Sequence, residues 1–285
     1  MTMLDPRLNA FRPDLADFRL EGQVKAANYA EAKRAEVIAP VADVRRAPDA
    51  ASGLDTQLLL GDRVKVFESR NGWSWVQSDR DGYVGYVRGA ELGPGHLKPT
   101  HEIAVPRTFA YAAPDMKSPV RRALSMGSRF SISGMAETRG LDYVITDAGE
   151  AVVAKHVRKI GKHGDDHVAW AERLIGTPYL WGGTSAFGAD CSGLVSLAMR
   201  MIGRDVLRDT AMQEANIGTP IDRKRDGLKR GDLVFWKGHV GIIADEGRTL
   251  LHSSGHTMDV ALEPLSAAIE RIGYLYGLPT GYRRP

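Results

Sequence analysis

The sequence holds a single cysteine, Cys191, so no internal disulfide staples the fold, and this fits a reducing compartment. Long apolar runs are missing as well; the longest span a few residues, far short of the ~20 that a membrane helix needs. Charge of one sign is scarce. The 38 Lys and Arg are interleaved with 35 Asp and Glu, and the net charge of +3 leaves no electrostatic footprint for nucleic acid. Met1 to Ala10 carry Asp5 and Pro6 with no apolar segment after them, so no secretory signal is expected and the chain is expected to be cytoplasmic. A metal site is not indicated. His163 and His167 stand four apart beside Asp165 and Asp166, but no Glu completes an H-E-x-x-H pattern and Gly164 weakens a helix there. His96, His101, His156 and His256 show no consistent ligand spacing, and neither metal nor cofactor is expected.

What the sequence does contain is enough for several cores, since 285 residues suit two or three domains. Residues 1–36, rich in Asp, Arg and Ala, are expected to form an N-terminal arm with a short helix. Between 37 and 93, short β-like runs (Asp43 to Arg45, Leu58 to Phe67, Trp73 to Gln77, Gly82 to Val87) are split by turn residues, a small-barrel pattern. The outline recurs over 100–156: Ala47-Pro48-Asp49, Gly61 and Asp81 match Ala113-Pro114-Asp115, Gly127 and Asp147 at an offset of 66. A constant offset argues for duplication, with Gly93-Pro94-Gly95 in the linker. From 165 to 285 the pattern is α+β: a short helix over Val168 to Ile175, a buried helix over Ser192 to Ile202, then antiparallel strands over Asp232 to Trp236, His239 to Ala244 and Thr249 to His252.

Taken alone, a lone cysteine is more often an inert buried residue than a nucleophile. Here Asp190-Cys191-Ser192-Gly193 puts the thiol at the start of an apolar helix, where unpaired amides and the helix dipole are expected to lower its pKa. Gly182, Gly183 and Gly188 supply a loop that substrate can approach closely. His239 and His252 flank a turn near Asp245 to Gly247, and in a hairpin they lie opposite or diagonal on one face. A nucleophile, a base and a third polar group that orients the base form the generalised triad, and Cys191, His239 and His252 fill those roles.

Thr177-Pro-Tyr-Leu-Trp-Gly-Gly, Asp190-Cys-Ser-Gly-Leu-Val, Gly231-Asp-Leu-Val-Phe and His239-Val-Gly-Ile-Ile together resemble the NlpC/P60 cysteine peptidases over about residues 165–280. The two β modules resemble the bacterial SH3-type domains that often precede this catalytic domain. The resemblance implies a papain-like catalytic domain behind two small SH3-like barrels, and cleavage of cell-wall peptides. It places the triad on Cys191, His239 and His252, and an oxyanion donor on Tyr179. A subgroup with two such modules and no export signal resembles γ-D-glutamyl-L-diamino acid endopeptidases acting on murein peptides with a free N-terminal L-Ala. By that resemblance Asp190 and Ser192 bind the free amine, Tyr83 caps the groove, Trp181 walls it, and Asp55 is a second amine contact. Tyr86 and Trp75 serve either as further wall residues or as module core.

The diamino acid stays open between meso-diaminopimelate and lysine. Other chemistries on the same fold, namely a different wall amidase or an acyltransferase, keep Cys191 and His239 but change the product. A non-catalytic wall-fragment-binding protein has no need of the intact Cys191, His239 and His252. Export by an unrecognised route is the remaining alternative, and the missing signal argues against it.

Overall fold

The computed structural model describes residues 4–95, 98–161 and 164–285, so His96 and His163 lie outside the described residues. The chain divides into two compact units, Met1–Ile160 and Gly161–Pro285.

In the first unit, alternation of apolar and polar side chains builds two sheet systems. The first is seven-stranded, in the spatial order Leu54–Leu59, Val41–Arg45, Val84–Arg88, Trp73–Ser78, Arg63–Arg70, Lys33–Val37, Leu92–Pro94. Its inward side chains, Val37, Ala42, Val44, Leu58, Val64, Val76 and Val87, form one core. The second copy distributes its strands over a five-stranded and a three-stranded sheet, around Leu60, Ile103, Ala110, Leu124, Phe130, Val144 and Val152. The strand order is open in each sheet, so of the two expected small SH3-like barrels no closed one is found among the described residues.

The duplication is visible as repeated hydrogen bonds. The amide of Gly61 donates to Val37 O at 2.9 Å and that of Gly127 to Ile103 O at 3.0 Å, both glycines at φ +82°. Gly61 has a further reason to lack a side chain: a Cβ there would sit 2.2 Å from the carbonyl oxygen of Arg129, where the two copies meet. The offset of 66 does not persist. The Asn71-Gly72 turn corresponds to Arg139-Gly140, both pairs at positive φ, and Asp79, whose amide bonds Arg63 O, corresponds to Asp147, whose amide bonds Ser131 O. The counterpart of Asp147 is therefore Asp79 rather than Asp81, because two extra residues precede the strand Ile132–Thr138.

The N-terminal arm also differs from expectation. Its last residues already belong to the first sheet, which begins at Lys33, and its helical content among the described residues is the 3-10 turn Phe18–Leu20. The arm is docked on the sheet. Arg12 stacks its guanidinium 4.3 Å from the Trp75 ring and donates to Tyr86 Oη and Glu68, each at 2.9 Å.

The second unit is mixed helix and sheet. A six-stranded sheet runs Thr219–Pro220, Gly281–Arg284, Leu233–Trp236, His239–Ile243, Thr249–Ser254, Asp259–Pro264, with every neighbouring pair antiparallel. The helix Cys191–Met201 packs against the strands His239–Ile243 and Thr249–Ser254. Almost all of its side chains are buried, which explains its continuous rather than striped apolar pattern. The helix Leu265–Tyr276 presents Leu265, Ala268 and Ile272 to a core with Val234, Trp236, Ile243 and Leu250.

Candidate active site

Cys191 is the first residue of its helix, and the loop before it is shaped around Asp190. The Asp190 carboxylate caps the helix by accepting the Gly193 amide at 2.7 Å, and it also accepts the Gly182 amide at 2.8 Å. Gly193 must be glycine, since a Cβ there would lie 2.0 Å from the carbonyl oxygen of Gly183. Behind this loop the buried Arg208 donates to Asp190 Oδ2 at 2.6 Å and to Ser192 Oγ at 2.7 Å. Both residues flanking the thiol are thus held by one guanidinium. The Cys191 sulfur lies 3.8 Å from Thr210 Oγ1 and 3.9 Å from the carbonyl oxygen of Gly238, the residue before His239.

The two histidines meet diagonally, for a reason the strand register supplies. Ile242 pairs with Leu251 and Ile243 with Leu250, which puts His252 opposite Gly241 and on the same sheet face as His239. His239 Nε2 and His252 Nδ1 are 2.8 Å apart. A side chain at position 241 would obstruct this contact: a Cβ there comes within 2.5 Å of Leu250 Cδ1 and 3.3 Å of His252 Cβ. On the next strand Ala261 pairs with His252, so Glu263 shares the face, and its Oε1 lies 2.8 Å from His252 Nε2. Arg271, from the following helix, donates to the same oxygen.

Protonation in this site favours neutral partners. Burial pushes the Cys191 thiol up to about 11, and the Asp190 carboxylate adds to it; the bonds to the thiol and Arg208 pull against this. The sequence implied a lowered thiol pKa at the helix N-terminus; burial beside the Asp190 carboxylate acts in the opposite direction. Burial also pushes His239 and His252 below the usual histidine range, with the Arg271 guanidinium adding to both shifts. Burial, with Cys191 and Asp190 nearby, raises the Tyr179 hydroxyl, which therefore stays a protonated donor.

A cavity of about 450 Å³ is lined by Tyr179, Trp181, His239, His252, Lys237 and Tyr276, among others. Trp181 is 71% exposed, so its ring forms part of the rim rather than core. Tyr83 and Asp55 lie in the first unit, where they line a separate cavity of about 380 Å³ with Trp75 and Tyr86, and Asp55 pairs with Arg46 at 2.7 Å. Among the described residues no cluster of His, Cys, Asp and Glu suits a metal ion.

Residues 44–92 match the bacterial dipeptidyl-peptidase Sh3 domain and residues 176–269 the NlpC/P60 family. Over 223 residues the chain is 30% identical to a Bacillus subtilis protein named gamma-D-glutamyl-L-lysine dipeptidyl-peptidase, covering 70% of this chain and 72% of that one. The chain belongs to the NlpC/P60 family. A Lysinibacillus sphaericus protein named dipeptidyl-peptidase 6 is 28% identical over 240 residues, covering 76% of this chain and 86% of that one. The solved structure of an NlpC/P60 family protein from Bacillus cereus has the same fold. Its TM-score is 0.73 at 23% identity, and the likeness covers 88% of this chain and 99% of that one.

Within the NlpC/P60 segment the structure adds residues that sequence reasoning missed. After the helix Cys191–Met201, Arg208 lies in a loop and Thr210 opens the next helix, Thr210–Asn216, neither of them within a motif of its own. Glu263 was legible in principle, because it lies on a strand next to that of His252 and two residues past its partner Ala261, but the strand Asp259–Pro264 was not read from the sequence. Asp190 and Ser192 sit beside Cys191 as expected, yet much of their polar capacity is committed to the loop and to Arg208. Among the described residues no helix is long and apolar enough to cross a membrane.

Proposed function

We propose that this chain is a cysteine endopeptidase hydrolysing the γ-D-glutamyl to diamino acid bond of murein peptides that carry a free N-terminal L-Ala, acting in the cytoplasm on peptides recovered from wall turnover. The observation that carries this reading is the seat of Cys191. Its thiol opens a helix beside the Gly238 carbonyl, next to a strand whose His239 is held by His252. The name gamma-D-glutamyl-L-lysine dipeptidyl-peptidase, carried by two Bacillus relatives, supports the substrate class.

In this mechanism His239 takes the thiol proton as Cys191 Sγ bonds to the γ-carbonyl carbon, so no free thiolate need be stored. Tyr179 Oη and the Cys191 amide hold the tetrahedral oxyanion. The carbon–nitrogen bond then breaks, the departing diamino-acid amine takes the proton from His239, and a thioester remains. Water attacks the thioester and gives its proton to His239, which returns it to sulfur as the L-Ala-γ-D-Glu dipeptide leaves. Residues 37–93 and 100–156 serve as SH3-like modules; Tyr83 and Asp55 of the first contact substrate, and the second is structural. Asp190 and Ser192 contact the free amine with the lone pairs that the loop leaves available.

The test is mass spectrometry of products from L-Ala-γ-D-Glu-meso-diaminopimelate in free and N-acetylated forms, with the lysine analogue alongside. Release of L-Ala-γ-D-Glu from the free form alone, lost in Cys191→Ala, is the expected result. Equal cleavage of both forms would remove the free-amine requirement, and no cleavage of any would remove the proposed substrate.

A further inference from the structure

We infer that Glu263 is a positioning residue that sets the tautomer of His239 through His252, an inference that rests on the reading of His239 as the base for Cys191. The relay runs diagonally across three neighbouring strands, from His239 on His239–Ile243 through His252 on Thr249–Ser254 to Glu263 on Asp259–Pro264, with both links 2.8 Å long.

The argument is one of donors and acceptors. A carboxylate between a guanidinium and an imidazole can only accept. Glu263 Oε1 accepts a hydrogen bond from Arg271 and faces His252 Nε2, so His252 must carry its hydrogen on Nε2. Its Nδ1 is then a lone pair, and the 2.8 Å contact forces His239 to carry its hydrogen on Nε2. What remains on His239 is the Nδ1 lone pair, on the ring nitrogen nearer its own backbone. That backbone begins at the Gly238 carbonyl, 3.9 Å from the Cys191 sulfur. Had His252 carried its hydrogen on Nδ1, it would donate to His239 Nε2 and leave the hydrogen of neutral His239 on Nδ1. A base in the wrong tautomer cannot take the thiol proton, and in the serine-protease triad that error costs about 10⁴-fold in rate.

Arg271 keeps the acceptor in place from the helix Leu265–Tyr276, and Gly241 leaves room for the first link.

The experiment has two arms. Nitrogen-15 NMR of histidine-labelled protein, without substrate, should show His239 and His252 both as Nε2–H tautomers near neutral pH. Finding His239 as Nδ1–H overturns the inference whatever the substrate proves to be. In the kinetic arm, Glu263→Gln keeps an acceptor oxygen and should stay within a few-fold of wild type in kcat. Glu263→Met, paired with Arg271→Met so that no cation is stranded, removes the acceptor and should lower kcat by about 10-fold or more with KM little changed. A folded double variant with wild-type kcat, or a Gln variant as damaged as the Met one, overturns it. If the double variant does not fold, the tautomers of the wild-type protein still decide. Correct tautomers in a protein that leaves the murein peptides intact would sink the proposed substrate and leave the relay standing.

Discussion

Arg208 donates to Asp190 at 2.6 Å and to Ser192 at 2.7 Å, so one buried guanidinium holds the residues on both sides of Cys191. Asp190 in turn caps the helix that Cys191 opens and fastens the Gly182 amide, which makes this ion pair the joint between the glycine loop and the thiol.

Arg208→Met should therefore cost about 3–5 kcal/mol, the usual consequence of stranding one partner of a buried pair. Urea unfolding monitored by circular dichroism gives the number. Adding Asp190→Asn should recover part of it by removing the stranded charge, and a single variant as stable as wild type would show that the pair holds nothing together.

Alkylation of Cys191 reports its protonation directly. With the thiol pushed up to about 11, reaction with iodoacetamide in the free protein should be slow at neutral pH. It should rise about tenfold per pH unit between 7 and 9, in step with the thiolate fraction. A plateau already present at neutral pH would mean a preformed thiolate–imidazolium pair instead.

Acid should unfold the protein partly through its two buried imidazoles. His239 is lowered from 6.5 to about 4 and His252 to about 3, so both folded pKa values lie below that of the unfolded chain. The unfolded chain then binds more protons as pH drops. The stability these groups contribute is complete above 6.5 and is lost as pH falls through their folded values. Urea midpoints measured from pH 7 down to 4.5 should decline, and His252→Asn should flatten the decline; an equal slope in the variant would assign the effect to other groups.

Gly241→Ala tests the diagonal contact of the histidines. The new methyl would meet Leu250 and the His252 Cβ, so it should cost about 1–3 kcal/mol by overpacking. It should also lower kcat/KM by more than a comparable overpacking variant at a site remote from Cys191. Full activity in a stable variant would show that the imidazoles do not depend on this gap.

By itself the sequence singled out Cys191, its helix and the histidine hairpin. Those features are local: an N-cap aspartate, a continuous apolar helix, and short apolar strands on either side of a Gly-bearing turn leave their traces in the chain. The repeat was legible at Ala47-Pro48-Asp49 and Gly61 for the same reason, while its registration failed at Asp81, where two inserted residues shift the copies. Only the tertiary structure decided the rest. Which residue faces His252 depends on the register between strands, which brings Glu263 onto its face. Arg208 reaches Asp190 from a loop 18 residues away. The rise in the Cys191 pKa reflects burial beside a carboxylate, a sum over everything packed around the sulfur. Strand register, a chain-crossing ion pair and desolvation are properties of the assembled core, and no window of sequence contains them.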